Sequence, residues 1–346
     1  MHRQLPGILL TLMIALPAWF LGKAYPIIGG PVFGILIGML ITSFFPQFIK
    51  LKSPFELESG VRYTSKKLLQ LSIILLGFEM NLYNVIKVGG QSLFVMLFTL
   101  TAAFVTAYFV GKALKLDSNT TLLIGVGTSI CGGSAIAATA PVIQAEDEEV
   151  AHAISTIFLF NIVAVFIFPT LGRLLGMSDI GFGMWAGTAV NDTSSVVAAA
   201  SSWSAAAGND VALGFATIVK LTRTLMIVPI TLVLAIRTAN RHKSLSKAGG
   251  DASVPTFSFV KVFPWFVIGF VAAAVINTFI PLPNGLPRLL GQMGKFVIVM
   301  AMSAIGLNTH LKKLIANGFA PILLGLCCWL AVALVSLAVQ TVTGLM

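Results

Sequence analysis

Apolar residues run along this chain in long stretches separated by short polar connections. Eleven such stretches stand out, at 6–22, 25–47, 64–83, 91–113, 119–143, 151–175, 181–204, 210–236, 257–281, 291–310 and 319–344. A helix of roughly 20 residues crosses a hydrocarbon core about 30 Å thick. A membrane barrel would instead alternate apolar and polar positions over segments of about 10 residues, and no such alternation is present. Helices satisfy their own backbone groups in lipid. The pattern therefore predicts an all-α polytopic membrane protein with about eleven transmembrane helices in a single domain over residues 1–346. The first stretch, behind His2 and Arg3, resembles a secretory signal. The next begins almost at once, at Tyr25, and Lys23 stands where cleavage would fall, so it is read as a retained span. The longest connection, Arg237 to Thr256, contains Gly249-Gly250 and reads as a flexible loop.

Composition agrees with lipid as the solvent. Of 346 residues, 57% are hydrophobic and 10% charged, and the mean hydropathy is +0.95. Soluble domains carry about 25% charged residues. A net charge of +10 would suggest nucleic acid in a soluble protein. Here the charges sit in the connections, where they set topology and meet headgroups, and nucleic acid is not an expected partner. With the N-terminus inside, sixteen of the 22 Lys and Arg fall on the inner side. Four (Lys23, Lys87, Arg288, Lys295) fall outside, and Lys220 and Arg223 lie within a span. This bias places the N-terminus in the cytoplasm and the C-terminus outside. The three cysteines, Cys131, Cys327 and Cys328, show neither metal-ligand spacing nor a disulfide framework. No metal and no cofactor is expected.

The sequence echoes itself twice. Gly77-Phe-Glu-Met-Asn-Leu82 ends the third stretch and Gly306-Leu-Asn-Thr-His-Leu311 the tenth. Those two spans run in opposite directions, as inverted repeats in transporters require. Gly127-Thr-Ser-Ile-Cys-Gly-Gly-Ser-Ala-Ile-Ala-Ala138 resembles Gly187-Thr-Ala-Val-Asn-Asp-Thr-Ser-Ser-Val-Val-Ala198. Both lie in outward-running spans, so this echo is not an inverted repeat and has no topological explanation in the sequence; shared chemistry is the alternative.

Three segments carry the candidate chemistry. Gly125, Gly127, Gly132 and Gly133, interleaved with Thr128, Ser129, Cys131 and Ser134, crowd the fifth stretch. A helix break here would free backbone N–H groups for an anion. Close helix packing through small residues is the structural alternative. Asn191-Asp192-Thr193-Ser194-Ser195 sits in the seventh stretch. Buried Asp alone costs about 2.5–3.5 kcal/mol in mid-membrane, so the run must face a cavity or a partner unless the span is short and its outer end polar. Lys220 and Arg223, spaced i to i+3 in the eighth stretch, share one helix face. Lys220 lies roughly 15 Å from the start of its span, and Asp192 at similar depth. A salt bridge between them would lock two helices. Alternatively the pair of cations leaves positive charge for a dianion, with Arg223 gripping an oxyanion through two N–H groups. Glu79, Asn81, Asn308 and His310 lie near span ends. Asn161 reads as an interhelical hydrogen-bonding group, His152 as a solvated residue, and Glu146 to Glu149 as helix-dipole complements.

Gly127–Ala138, Asn191–Val197 and Val219-Lys-Leu-Thr-Arg223, with Pro229 after it, resemble the YeiH-type sulfate exporter family in order and spacing, and the likeness covers the whole chain. The resemblance implies an inner-membrane secondary transporter, remotely similar to cation–proton antiporter and bile-acid-transporter folds, with inverted repeats and discontinuous helices. The sulfate label belongs to the family and does not fix this chain's substrate. The family pattern places His where Asn191 stands, and Asn cannot carry a proton, which leaves Asp192 as the titratable group. The resulting reading is a secondary active transporter, in the exporting direction, of a small anion such as sulfate or a sulfonate. Thr128, Ser129, Cys131, Gly132, Gly133, Ser134, Asn191, Thr193, Ser194, Ser195, Lys220 and Arg223 would bind it. Asp192 with Lys220 would couple to H⁺ or Na⁺. The remaining partners are the bilayer and, in a homodimer, a second copy. A cation/proton antiporter and an anion channel are the alternatives. An enzyme is not, since neither HExxH, GxSxG nor a proteolytic aspartate pair appears.

Overall fold

The computed structural model describes residues 4–44, 57–246, 263–309 and 318–346, without the side chains of 239–246. His310 and Leu311 of the first echo lie outside the described residues. So do Arg3, Lys50, Lys52, Lys247, Lys261, Lys312 and Lys313 of the inner-side set. All described secondary structure is helical. The helices are α1 Leu5–Ala24, α2 Gly30–Phe44, and α3, which runs from Leu57–Tyr63 through a π turn at Thr64–Leu68 into Leu69–Gly77. Then follow α4 Leu82–Ala113, α5 Ser118–Ser129, α6 Gly133–Ile143, α7 Asp147–Leu174, α8 Asp179–Ala189 and α9 Thr193–Ala207. The chain closes with α10 Val211–Leu225, α11 Ile227–Ser246, α12 Trp265–Phe279, α13 Leu286–Leu307 and α14 Phe319–Thr343. Among the described residues, six helices are long and apolar enough to cross a membrane: α1, α4, α7, α10 with α11, α13 and α14. The loop expected from Arg237 is partly helix, because α11 continues to Ser246.

Two of the predicted spans double back on themselves. The stretch 119–143 breaks at Ile130–Gly132 and turns back. Asn119 at the start of α5 donates to Glu149 at the start of α7 (3.0 Å). A methyl on Gly127 would fall 3.0 Å from Ile157 of α7 and 2.8 Å from Ile136 of α6. Thus α5 and α7 run side by side in the same direction, and α6 must return between them. The stretch 181–204 does the same from the opposite end. Asp179 at the start of α8 accepts from Trp203 (2.7 Å) and Asn209 (2.8 Å) beyond the break. Phe182 stacks on Trp203 with centroids 4.1 Å apart. Gly183 faces Ala212 and Phe215, and Gly187 faces Ala216 and Val219, so α8 and α10 are parallel and α9 returns. The fifth and seventh stretches are therefore helical hairpins that enter from opposite ends. The second echo, read from sequence as two parallel segments, is an antiparallel pair of hairpin tips.

The helices sort into two bundles. In one, α2 packs on α13 through closely approaching backbone: Gly34 meets Ser303, Gly306 meets Ile35, and Thr42 donates to Leu307 O (2.8 Å). The same bundle holds α1, α3 and α12, with α1 crossing α3 at Gly7 and Gly60. The second bundle contains α4 to α11 and α14. Its core is aromatic: Phe168 stacks on Trp185 at 4.1 Å and faces Trp329 at 5.7 Å, while Trp185 donates to Ala333 O. Ile27, Glu79, Arg173, Ser202 and Asp210 mark the upper end of the molecule; Gly7, Thr42, Asn119 and Glu149 mark the lower.

Cysteines introduced at Ser118 and Glu148, both exposed at the lower end, test the first hairpin. Both should react with an impermeant thiol reagent from the same side of sealed vesicles. Labelling from opposite sides would restore a through-going span.

Candidate functional site

The two hairpin tips meet. Gly132 has φ +68° and ψ −132°, a region that side chains other than glycine's rarely adopt. It also lies directly over Asp192, whose Cβ would be 3.4 Å from an added methyl. The tips are near mid-depth: Asn161, halfway along the 28 residues of α7, accepts from Asp192 N (3.0 Å). Half of α7 is about 21 Å long.

A broken helix leaves its last carbonyls unpartnered and its C-terminal end with about half a negative charge. Both α5 and α8 end at the tips, and α10 supplies what they lack. Arg223 donates through Nε to Ser129 O (2.6 Å), through Nη2 to Thr128 O, and through Nη1 to Thr188 O and Val190 O (3.3 Å). Lys220 Nζ donates to Ile130 O (2.8 Å), Val190 O (3.2 Å) and Asn191 O. Both side chains are 0% exposed. Two cations one turn apart on α10 thus join both tips.

This arrangement corrects one expectation. Asp192 is not the hydrogen-bonded partner of Lys220. Its carboxylate accepts from Ser194 N (3.0 Å) and from Ser194 Oγ, capping α9. The cap is local and fixed by the backbone, whereas the carbonyls at the break already satisfy Lys220. The other predicted residues lie at the two tips. Thr128 and Ser129 are buried, and their hydroxyls bond back to Ile124 O and Val126 O, so their backbone carbonyls carry the contact with Arg223. Cys131 is buried, and Ser134 Oγ donates to its carbonyl (3.0 Å) and its sulfur (2.9 Å). Asn191, Thr193, Ser194 and Ser195 are buried around the second tip, while Ser134 is exposed at the first. Asn161 forms the interhelical bond expected of it, and Glu146 with Glu149 forms a capping box on α7.

Two buried polar atoms at the second tip have no partner among the described residues: Asn161 Nδ2, a donor, and Asn191 Oδ1, an acceptor. Among the described residues, no side chain caps the N-terminal end of α6. Each helix end contributes about half a charge. Lys220 and Arg223 offset the two negative ends, the N-termini of α6 and α9 add about one positive charge, and Asp192 offsets another. With both cations ionised, the tips hold about one uncompensated positive charge beside an unfilled donor. The sequence does not point to the carbonyls of Thr188 and Val190, because any residue supplies them. Among the described residues, no cluster of His, Cys, Asp and Glu could hold a metal ion.

Each carbonyl left bare in a buried site costs about 1–3 kcal/mol. Arg223→Ala should therefore lower stability by at least about 3 kcal/mol, read as a fall in the thermal midpoint in detergent. Asp192→Ala should cost about 1 kcal/mol and Asp192→Asn much less, since Asn also caps. An unchanged midpoint in Arg223→Ala would show that the tips do not depend on it.

Residues 6–325 match the protein family described as "Conserved hypothetical protein 698". A UPF0324 membrane protein of Fusobacterium nucleatum is 48% identical over 361 aligned positions that cover 100% of both chains. One from Streptococcus pyogenes is 51% identical over 346 positions, covering 99% of this chain and 98% of the other. A third, from Streptococcus agalactiae, is 49% identical over 344 positions with the same coverage. The chain belongs to the UPF0324 family of membrane proteins.

Proposed function

We propose that this protein is a secondary active transporter, not an enzyme, which carries a small anion of the sulfate or sulfonate class across the inner membrane by alternating access. The observation that carries this reading is the meeting of two oppositely entering hairpin tips at mid-depth, held by two buried cations, beside an uncapped helix N-terminus and an Asn161 donor that has no partner among the described residues; with both cations ionised, the tips carry about one net positive charge. An anion compensates that charge. The two cations act through the tips they hold, so the guest's direct partners are the N–H groups at Gly133 and Ser134, the Ser134 hydroxyl and Asn161 Nδ2. The resemblance of the tip motifs to the YeiH-type sulfate exporters agrees with this substrate class. A cation antiporter built on an Asp192–Lys220 pair loses support, because Asp192 is engaged as a cap.

In this reading the membrane is crossed nine times, with two re-entrant hairpins in place of the fifth and seventh crossings, and the fold is an inverted repeat about the tips. The N-terminus stays inside and the C-terminus outside. Arg173 moves to the outer face, which leaves fifteen Lys and Arg inside against five outside, still a strong orientation bias.

Proteoliposomes should take up sulfate or a small sulfonate saturably, and Ser134→Ala and Lys220→Gln should each reduce uptake about tenfold or more while eluting as folded protein. The same anion at about 100 times its Kd should stabilise the purified protein by about 2.7 kcal/mol. Uptake without saturation would indicate a channel. Full activity in both variants would remove the tips as the binding site.

A further inference from the structure

A second charged group lies away from the tips, at the upper end, where the two bundles touch. Arg173 of α7 donates to Ile27 O (3.2 Å), and Ser202 of α9 to Ile28 O (2.6 Å). Lys295 of α13 bridges Asp210, at the start of α10, at 2.6 Å and Glu79, after α3, at 3.7 Å. Lys295 and Glu79 belong to one bundle and Asp210 to the other. Glu79 has a prepared seat: its carboxyl lies against the bare backbone of Gly291, so that a methyl there would fall 2.0 Å from Cδ. Its side chain is 17% exposed. Beside it opens a cavity of about 760 Å³, lined by Glu79, Asn84, Lys87, Asp210 and Arg288 and floored by Ile218, two residues from Lys220.

We propose that Glu79 binds a coupling proton from the outer cavity, and that this proton favours closure of the two bundles at the upper end. The charges facing Glu79 are Lys295 and Arg288 of α13, Lys87 of α4 and Asp210 before α10. With Glu79 ionised, two carboxylates compete for Lys295 across the interface and repel one another. Protonation removes the repulsion and leaves Lys295 to Asp210, the cross-bundle partner.

The direction follows from linkage. In the closed arrangement burial raises the Glu79 pKa above its ordinary value, Lys295 opposes, and Asp210 adds to the rise. When the bundles separate, Asp210 leaves and water enters, so the carboxyl returns toward its ordinary value. The closed form therefore binds the proton more tightly. Its advantage is complete below the open-form pKa and is lost as pH rises through the closed-form one.

The proposal rests on the reading of two bundles that move against each other, but its test needs no anion. Ile218→Cys places a thiol on the cavity wall at a position only 4% exposed in the closed arrangement. Its labelling from outside by an impermeant reagent is compared with and without Glu79→Gln at each pH, over the background of the native cysteines. Glu79→Gln, permanently neutral, should stay closed. The ratio of the two rates should be near one at about pH 5 and rise about threefold or more toward about pH 8. Asp210→Asn, which weakens the bridge between the bundles, should label fast at every pH. A ratio that stays at one throughout overturns the proposal. Should Glu79→Gln fail to fold, an unaltered pH response in Asp210→Asn does so equally. Absence of sulfate uptake by the unaltered protein, with the labelling response intact, would reject the anion reading and keep this one.

Discussion

A carbonyl deprived of its helical partner in the middle of a membrane has no water to turn to. Two interrupted hairpins release six such groups at one depth, on Thr128, Ser129, Ile130, Thr188, Val190 and Asn191. Lys220 and Arg223 answer all six. The interaction works in both directions, since neither cation could be wholly buried without the dense set of acceptors, nor the breaks exist without the cations. It also explains why both sit on one face of α10. Only that face lies against both tips, and the i to i+3 spacing matches the offset between the deeper carbonyls and those at the breaks.

Once the cations are committed to carbonyls, the anion chemistry shifts by one layer. The positive charge is still present, but it reaches a guest through two helices whose negative ends it has neutralised. What remains unopposed is the N-terminal side of each break. One of these, at α9, is occupied by the Asp192 cap, and the other, at α6, is open beside Ser134. The site is therefore asymmetric despite the echo between the tips. Asn stands opposite Cys, and Asp opposite Gly, in the aligned motifs, and those two differences decide which helix end a carboxylate already fills.

Apolar length and residue type mark the three segments that meet at the tips, though not the carbonyls of Thr188 and Val190. They could not give direction. A predominantly apolar stretch of 25 residues (119–143) reads the same whether it is one helix or two arms of 12 and 11 residues folded together. Hydropathy counts apolar residues and does not record where the chain reverses. The adjacent glycines at 132 and 133 and the polar run at 191–195 are the signs of reversal, and they occur midway along their stretches. Asp192 was misassigned for a related reason. Depth alone placed it beside Lys220, whereas a cap depends on the backbone two residues on. Glu79, Asp210 and Lys295 meet from three distant parts of the chain, and no local pattern links them.

The same hydrogen bonds constrain how such a molecule could move. Lys220 and Arg223 bond to both tips, so opening a path by parting the tips would expose six carbonyls and two cations together, at a cost of several kcal/mol. The tips, α10 and the helices packed on them must travel as one body. Motion is easier at the seam with the α2–α13 bundle, where the polar contacts are few and gathered at the upper end. A site fixed within one rigid bundle and exposed by its displacement against another satisfies alternating access without breaking the interaction on which the tips depend.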